Sequence, residues 1–218
     1  MDGLFPTFFD PSRNALPPVS RPSSLMSGRL SRFAGKVGPR TGPRPSNSDR
    51  LFFAILPDEE TRERIAERAR HLRASHGLTG KAVRPEHFHV TLHHVADSRG
   101  APPAELVEAL AERARNVVMP AFRIEFDRAM SFRNGAVVLA GDDSTIGLHV
   151  LQQRLSDALE WRPGPARRFN PHLTLLRDDH RVAEQPIEPI AWTAHEIVLV
   201  HSLLGRTTHL PVARIPLG

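Results

Sequence analysis

The sequence predicts an α+β fold: two pseudo-symmetric lobes of antiparallel sheet and helices around a central cleft. Three observations predict it. From residue 50 onward, period-two and short apolar runs alternate with helical patterns, in the order strand, helix, strand, helix, strands, helix, strand, strands. Two of those strands carry the same pattern, His89-Val90-Thr91-Leu92 and His172-Leu173-Thr174-Leu175, each reached from a helix. Finally, a hydrophobic content of 40% in 218 residues supplies a real core, enough for one large domain or two small ones. No side-by-side sequence repeat accompanies the duplicated order.

Composition excludes several function classes. The chain has no cysteine, so disulfides, thiolate nucleophiles, cysteine-ligated zinc and iron–sulfur clusters are ruled out. No run approaches the ~18 apolar residues of a membrane span. The net charge of +5 is unevenly placed: residues 1–49 carry seven Lys/Arg against three Asp/Glu, and residues 50–218 carry 22 against 21. A global basic field for nucleic acid is therefore not a property of the folded part, and any polyanion contact there needs a local cluster.

Residues 1–48 are rich in Pro, Ser, Gly and Arg and bury too little apolar surface to offset their conformational entropy. They are expected to be a disordered or loosely attached tail, with the domain proper at 49–218. Residues 50–57 form a buried strand stopped by Pro57. Asp58 is an N-cap with Glu59 and Glu60 in the first turn. The helix over 61–75 places Ile65, Ala69 and Leu72 on one face, and Gly77 and Gly80 end it. Next comes the strand 84–95. A second helix starts near Pro103 and runs through Leu106, Val107, Leu110 and Ala114. Residues 122–126 alternate as a strand, Asn134-Gly135 reads as a hairpin turn, and 136–140 return. Ser144 or Thr145 caps a third helix bearing Leu148, Leu151, Leu155 and Leu159. Residues 162–165 break it before the second His-Thr strand, and two late strands over 195–204 and 209–215 close the chain.

On the first His-Thr strand, Phe88, Val90 and Leu92 face the core, while His89, Thr91 and His93 face away. The imidazole and hydroxyl then lie roughly 6–7 Å apart. On the second, His172 and Thr174 share the polar face. Two such strands suggest a two-histidine site across the cleft. His93 belongs to the cleft wall or its exposed rim; His94 falls on the apolar face. Arg177 has strand parity opposite to His172, so only a bend brings it to the site. Arg50 and Arg84 are weaker candidates. Phe132 either stacks on a base or packs in the core. His87 and His89, with Glu86 nearby, can chelate, but no third ligand is placed by the sequence, and no metal is expected.

These residues resemble the two-histidine phosphoesterase superfamily, specifically its RNA 2′,3′-cyclic phosphodiesterase branch (LigT-like, or 2′–5′ RNA ligase-like). The matching pieces are Arg50-Leu51-Phe52-Phe53-Ala54; Val83-Arg84-Pro85-Glu86 running into His89-Val90-Thr91-Leu92; Val137-Val138-Leu139 before a Leu-rich helix; and Phe169-Asn170-Pro171-His172-Leu173-Thr174-Leu175-Leu176-Arg177. Residues 199–202 and 210–216 also fit, so nearly all of 50–218 is covered. Two departures stand out. His94, Val95 and Ala96 replace an aromatic, an apolar residue and a glycine, and His209 replaces an aromatic.

The resemblance implies hydrolysis of RNA 2′,3′-cyclic phosphate ends to 2′-phosphate, with His89 as acid on the leaving 3′-oxygen and His172 as base on water. Each threonine can donate to a non-bridging phosphoryl oxygen, and Arg177 becomes a candidate phosphate ligand. Run backward, the same groups give weak 2′–5′ ligation. No cofactor is expected, the substrate is an RNA end or nucleotide cyclic phosphate, and the protein is expected to be a cytoplasmic monomer with no membrane contact. Competing readings are a phosphodiesterase for ADP-ribose cyclic phosphate or 2′,5′-linked oligonucleotides, and a non-catalytic nucleotide- or RNA-binding module.

Overall fold

The structure, a computed structural model, describes residues 49–98, 100–142, 145–160, 169–203 and 208–218. The expectations for the tail 1–48, for Ser144 as a cap and for the break at 162–165 lie outside the described residues. The apolar run forms β1 (Asp49–Ile55), buried from Leu51 onward. Asp58 caps α1 (Glu59–His76) by accepting the Thr61 N–H at 2.8 Å, which satisfies one of the orphan donors of the first turn. Ile65, Ala69 and Leu72 are its buried stripe, and Gly77 ends it in the left-handed region, φ 63°, where a side chain would be strained. A short 3-10 turn, Pro85–His87, leads into β2 (Val90–Ser98). Then come α2 (Ala104–Ala114), β3 (Phe122–Ser131), β4 (Ala136–Ala140), α3 (Ile146–Ala158), β5 (Leu173–Arg177), β6 (Gln185–Ala194), β7 (Glu196–Leu203) and β8 (Thr208–Pro216).

Three expectations need correction. The first His-Thr strand begins at Val90, not at 84, because Pro85 opens the 3-10 turn and the Phe88 N–H closes it on the Pro85 carbonyl. Thr145 does not cap α3 through its side chain; its hydroxyl donates to the Asp142 carbonyl at 2.7 Å. Strand β6 is an addition to the expected elements, since Pro186 and Pro189 speak against a strand. It lies at the edge of the sheet, where a missing N–H breaks no ladder on the outer side.

All strands pair antiparallel in one 8-stranded sheet of order β6-β3-β4-β5-β2-β1-β7-β8. Its two halves meet at the centre, where β2 and β5 share one register pair, Val90 with Leu173. Each half contains a strand, a helix and a His-Thr strand in succession. The helices cross over: α1 packs on β5 and β6, and α3 packs on β2 and β3. The main core therefore runs through both halves, from Phe53, Ile65 and Phe88 to Phe126, Leu139 and Leu151. A smaller cluster of Phe52, Ala54, Val198 and Val200 lies on the opposite face of the first half, the face that carries His89.

Candidate active site

His89 and His172 occupy equivalent places. Each immediately precedes one member of the Val90–Leu173 pair that joins the halves. Each donates its Nδ1–H to the carbonyl two residues earlier, His89 to His87 and His172 to Asn170, both at 2.7 Å. A backbone acceptor at Nδ1 fixes the tautomer and leaves Nε2 unprotonated in the neutral ring. Both imidazoles are half-buried, and burial is the largest influence on each, holding both pKa values below the ordinary imidazole value. The carbonyl bonds oppose that shift. Next to His89 the charge of His172 adds to it, and next to His172 the charge of Arg177 does.

Thr91 pairs across the sheet with Ala54, and Thr174 with Val138. Ala54 belongs to the smaller cluster, so Thr91 lies on the face of His89, whose ring is 5.0 Å from that of Phe52. One residue beyond each threonine, the ladder slips. Phe53 pairs with His93 and Ala54 with Thr91, which leaves Leu92 as an extra residue; likewise Val137 pairs with Leu176 and Val138 with Thr174, which leaves Leu175 extra. These are matching β-bulges, and each reverses the side-chain parity beyond it.

The bulges move three candidates. Leu175 and Leu176 are both buried, so Arg177, opposite Ala136, returns to the face of His172. That is the bend the parity argument required. On β2 the same slip turns His93 inward beside Phe53, 7% exposed, instead of lining the cleft. Its pKa falls to about 4, chiefly through burial and then through the charge of His94. His94, expected on the apolar face, instead pairs with Phe52 on the cleft face, exposed and with its Nε2 2.9 Å from Asp97 Oδ1. His94 and Arg177 are thus equivalents, each five residues after its histidine.

Phe132 lies against His172, edge to face at 4.8 Å, in the turn between β3 and β4. That turn closes through the Gly135 N–H to the Phe132 carbonyl at 3.0 Å, with Gly135 left-handed at φ 79°. Arg50 and Arg84 pair with Asp97 and Glu86 at 3.8 and 3.3 Å.

Two further residues stand here: His209, which the sequence marks only as a departure from an aromatic, and His87, which it marks only as a chelate candidate. His209 stacks on His87 at 4.3 Å and meets His89 and Phe52 edge-on at 5.2 and 5.8 Å. Burial, then the charges of His89, His87 and Arg84, push its pKa down to about 3. The departure from an aromatic at this position was the available signal. His87 supplies both the carbonyl under His89 and a ring of the stack. Stacked imidazoles present faces to one another, whereas a chelate needs in-plane lone pairs to converge. Among the described residues no group of three or more His, Asp or Glu is disposed to hold a metal.

The arrangement offers two neutral-leaning imidazoles of fixed tautomer, two hydroxyls and a guanidinium, which suits proton transfer on both sides of an anionic centre. Comparisons with known proteins agree with the geometry. The RNA 2′,3′-cyclic phosphodiesterase of Escherichia coli (strain K12) is 32% identical over 179 residues, covering 78% of this chain and 97% of that protein. The crystal structure of E. coli LigT complexed with 3′-AMP superposes with a TM-score of 0.63 at 30% identity, covering 78% of this chain and 98% of the other. The same protein complexed with phosphate gives 0.59 at 30% identity, with 79% and 99% covered. Residues 57–206 match the family model of the 2′-5′ RNA ligase superfamily, and with the His-Thr pairs set symmetrically about the seam the chain belongs to that superfamily.

Proposed function

We propose that residues 49–218 form a metal-independent phosphodiesterase that opens 2′,3′-cyclic phosphate ends of RNA to the 2′-phosphate, acting as a cytoplasmic monomer. The observation that carries the reading is the matched pair of imidazoles, each with Nδ1 tied to a backbone carbonyl. Water attacks phosphorus as the His172 Nε2 takes its proton. The bond from phosphorus to the 3′-oxygen breaks, and the His89 Nε2 returns a proton to that oxygen. Arg177 supports this direction, because a cation beside His172 disfavours its imidazolium and favours starting it neutral, as a base. Thr91 and Thr174 donate to the non-bridging oxygens, and Phe132 offers a ring to the terminal base. With a 5′-hydroxyl in place of water as the nucleophile, the same step forms a 2′–5′ phosphodiester, breaking the same bond to the 3′-oxygen and returning a proton to it. The relatives solved with 3′-AMP and phosphate support a nucleotide-sized anion in this cleft. No helix among the described residues is long and apolar enough to cross a membrane.

The test is turnover of a short RNA ending in 2′,3′-cyclic phosphate, in chelator, with the product identified. His89→Ala and His172→Ala should each lower kcat by about 10²–10⁴. The pH profile of kcat/KM should be a bell with its limbs below the usual imidazole range, since both pKa values are lowered. Near wild-type hydrolysis by either variant would refute the assignment.

A further inference from the structure

The folded part is close to neutral, so an RNA strand needs a local patch of uncompensated charge. Eight arginines lie within 4 Å of a carboxylate; Arg128 alone meets Asp127, Asp142 and Glu184. Of the described arginines without such a partner, Arg133, Arg177 and Arg181 gather on one turn, beside His172. All three are exposed. The Arg181 guanidinium donates from Nη1 to the Phe132 carbonyl at 3.4 Å and from Nη2 to the Arg133 carbonyl at 2.9 Å. The Arg177 Nη1 donates to the Asn134 carbonyl at 3.4 Å. These bonds steady the side chains without cancelling their charge, and a guanidinium's five N–H groups leave donors over for an anion.

The nearby acids do not neutralise the patch. Asp178 is turned to backbone amides, accepting from Gly80 at 2.5 Å and His180 at 2.8 Å. Asp179 is exposed on the same turn and leaves the three guanidiniums in excess. All three belong to one turn: Arg177 reaches the Asn134 carbonyl, Arg181 the carbonyls of Phe132 and Arg133, and Arg133 follows Phe132 in the chain.

We propose that Arg133 and Arg181 are a landing for the single-stranded RNA that leads into the cleft, binding phosphodiesters upstream of the reacting end. The proposal rests on the reading that the cleft takes an RNA end. Repeated cations flanking an aromatic ring fit a strand of phosphates with a stacked terminal base, and a mononucleotide reaches only part of the patch.

The experiment measures binding by the full chain, by fluorescence anisotropy, of a labelled RNA pentamer ending in 2′-phosphate. A nucleoside 2′-phosphate serves as competitor, and salt is varied. Residues 1–48 are the same in every protein compared, so their basic residues cancel from the differences. The double variant Arg133→Gln/Arg181→Gln should weaken the pentamer about 5- to 20-fold more than the mononucleotide, a few-fold per exposed charge. The slope of log affinity against log salt should fall by about 0.7 for each phosphate that is no longer neutralised. Arg181→Lys keeps the charge and should keep most of the slope. Arg133→Gln alone carries the test if the Arg181 variants disturb the turn, because its side chain has no bond to a described residue. Equal weakening of both ligands, or an unchanged slope, overturns the proposal. A wild type that shows these salt effects yet never hydrolyses a cyclic phosphate refutes the phosphodiesterase reading and leaves the landing standing.

Discussion

Five histidines, His87, His89, His93, His172 and His209, are held below the ordinary imidazole pKa, and for all of them burial is the leading cause. Their roles differ. His93 is deep in the core side and stays neutral in the fold. Below its unfolded pKa of about 6.5 the unfolded chain takes up a proton that the folded chain refuses, so stability falls as pH drops from 6.5 toward 4. The loss by pH 4 is on the order of 2–4 kcal/mol. His93→Leu should flatten that dependence, as read from urea midpoints across the range. His209 packs by its ring against His87, His89 and Phe52, so its contribution is shape more than charge. His209→Phe should keep kcat within about 3-fold, whereas His209→Ala frees the His89 ring and should cost about 10-fold or more, in the range seen when a catalytic group is loosely placed. The 15N shifts of the His89 imidazole, which report its tautomer, should move in the alanine variant only.

At the scale of the element, the two bulges and the Phe132 turn do the placing. Gly135 has φ 79°, and a Cβ there would sit 2.9 Å from the Asp178 carbonyl oxygen. Gly135→Ala should therefore cost about 1–2 kcal/mol, seen in thermal melts. It should also raise KM, because the turn holds Phe132 and the carbonyls that bind Arg177 and Arg181. The His-Thr pairs were legible in the sequence because period-two alternation is local. The parity reversal after Leu92 and Leu175 was not, since an extra residue is defined only against the partner strand, β1 or β4. That is why simple alternation puts His93 and His94 on each other's faces. The prolines of β6 hide a strand that only its edge position allows, and the contact of His209 with His89 joins residues 120 apart along the chain.

At the scale of the whole molecule, the crossed helices make the two halves one folding unit. Phe53 and Phe126 lie in different halves, and both belong to the same core. The near-twofold relation of His89-Thr91 to His172-Thr174 has a chemical consequence. On the proposed function, a cradle with that symmetry would accept a cyclic phosphate in either of two orientations, and these break different ester bonds. Symmetry alone would give a mixture of 2′- and 3′-phosphates. Selection must come from residues that violate the symmetry, and His94 and Arg177, at equivalent positions beyond the bulges, are the plainest violation on the cleft face. Exchanging them, as His94→Arg with Arg177→His, should push the product ratio through parity toward the other monophosphate, measured by chromatography of the two monophosphates. An unchanged ratio would move the choice of regiochemistry to the aromatic neighbours, Phe52 and Phe132. A changed ratio would mean that a single guanidinium, carried to the face by one extra leucine in a ladder, decides which ribose oxygen keeps the phosphate.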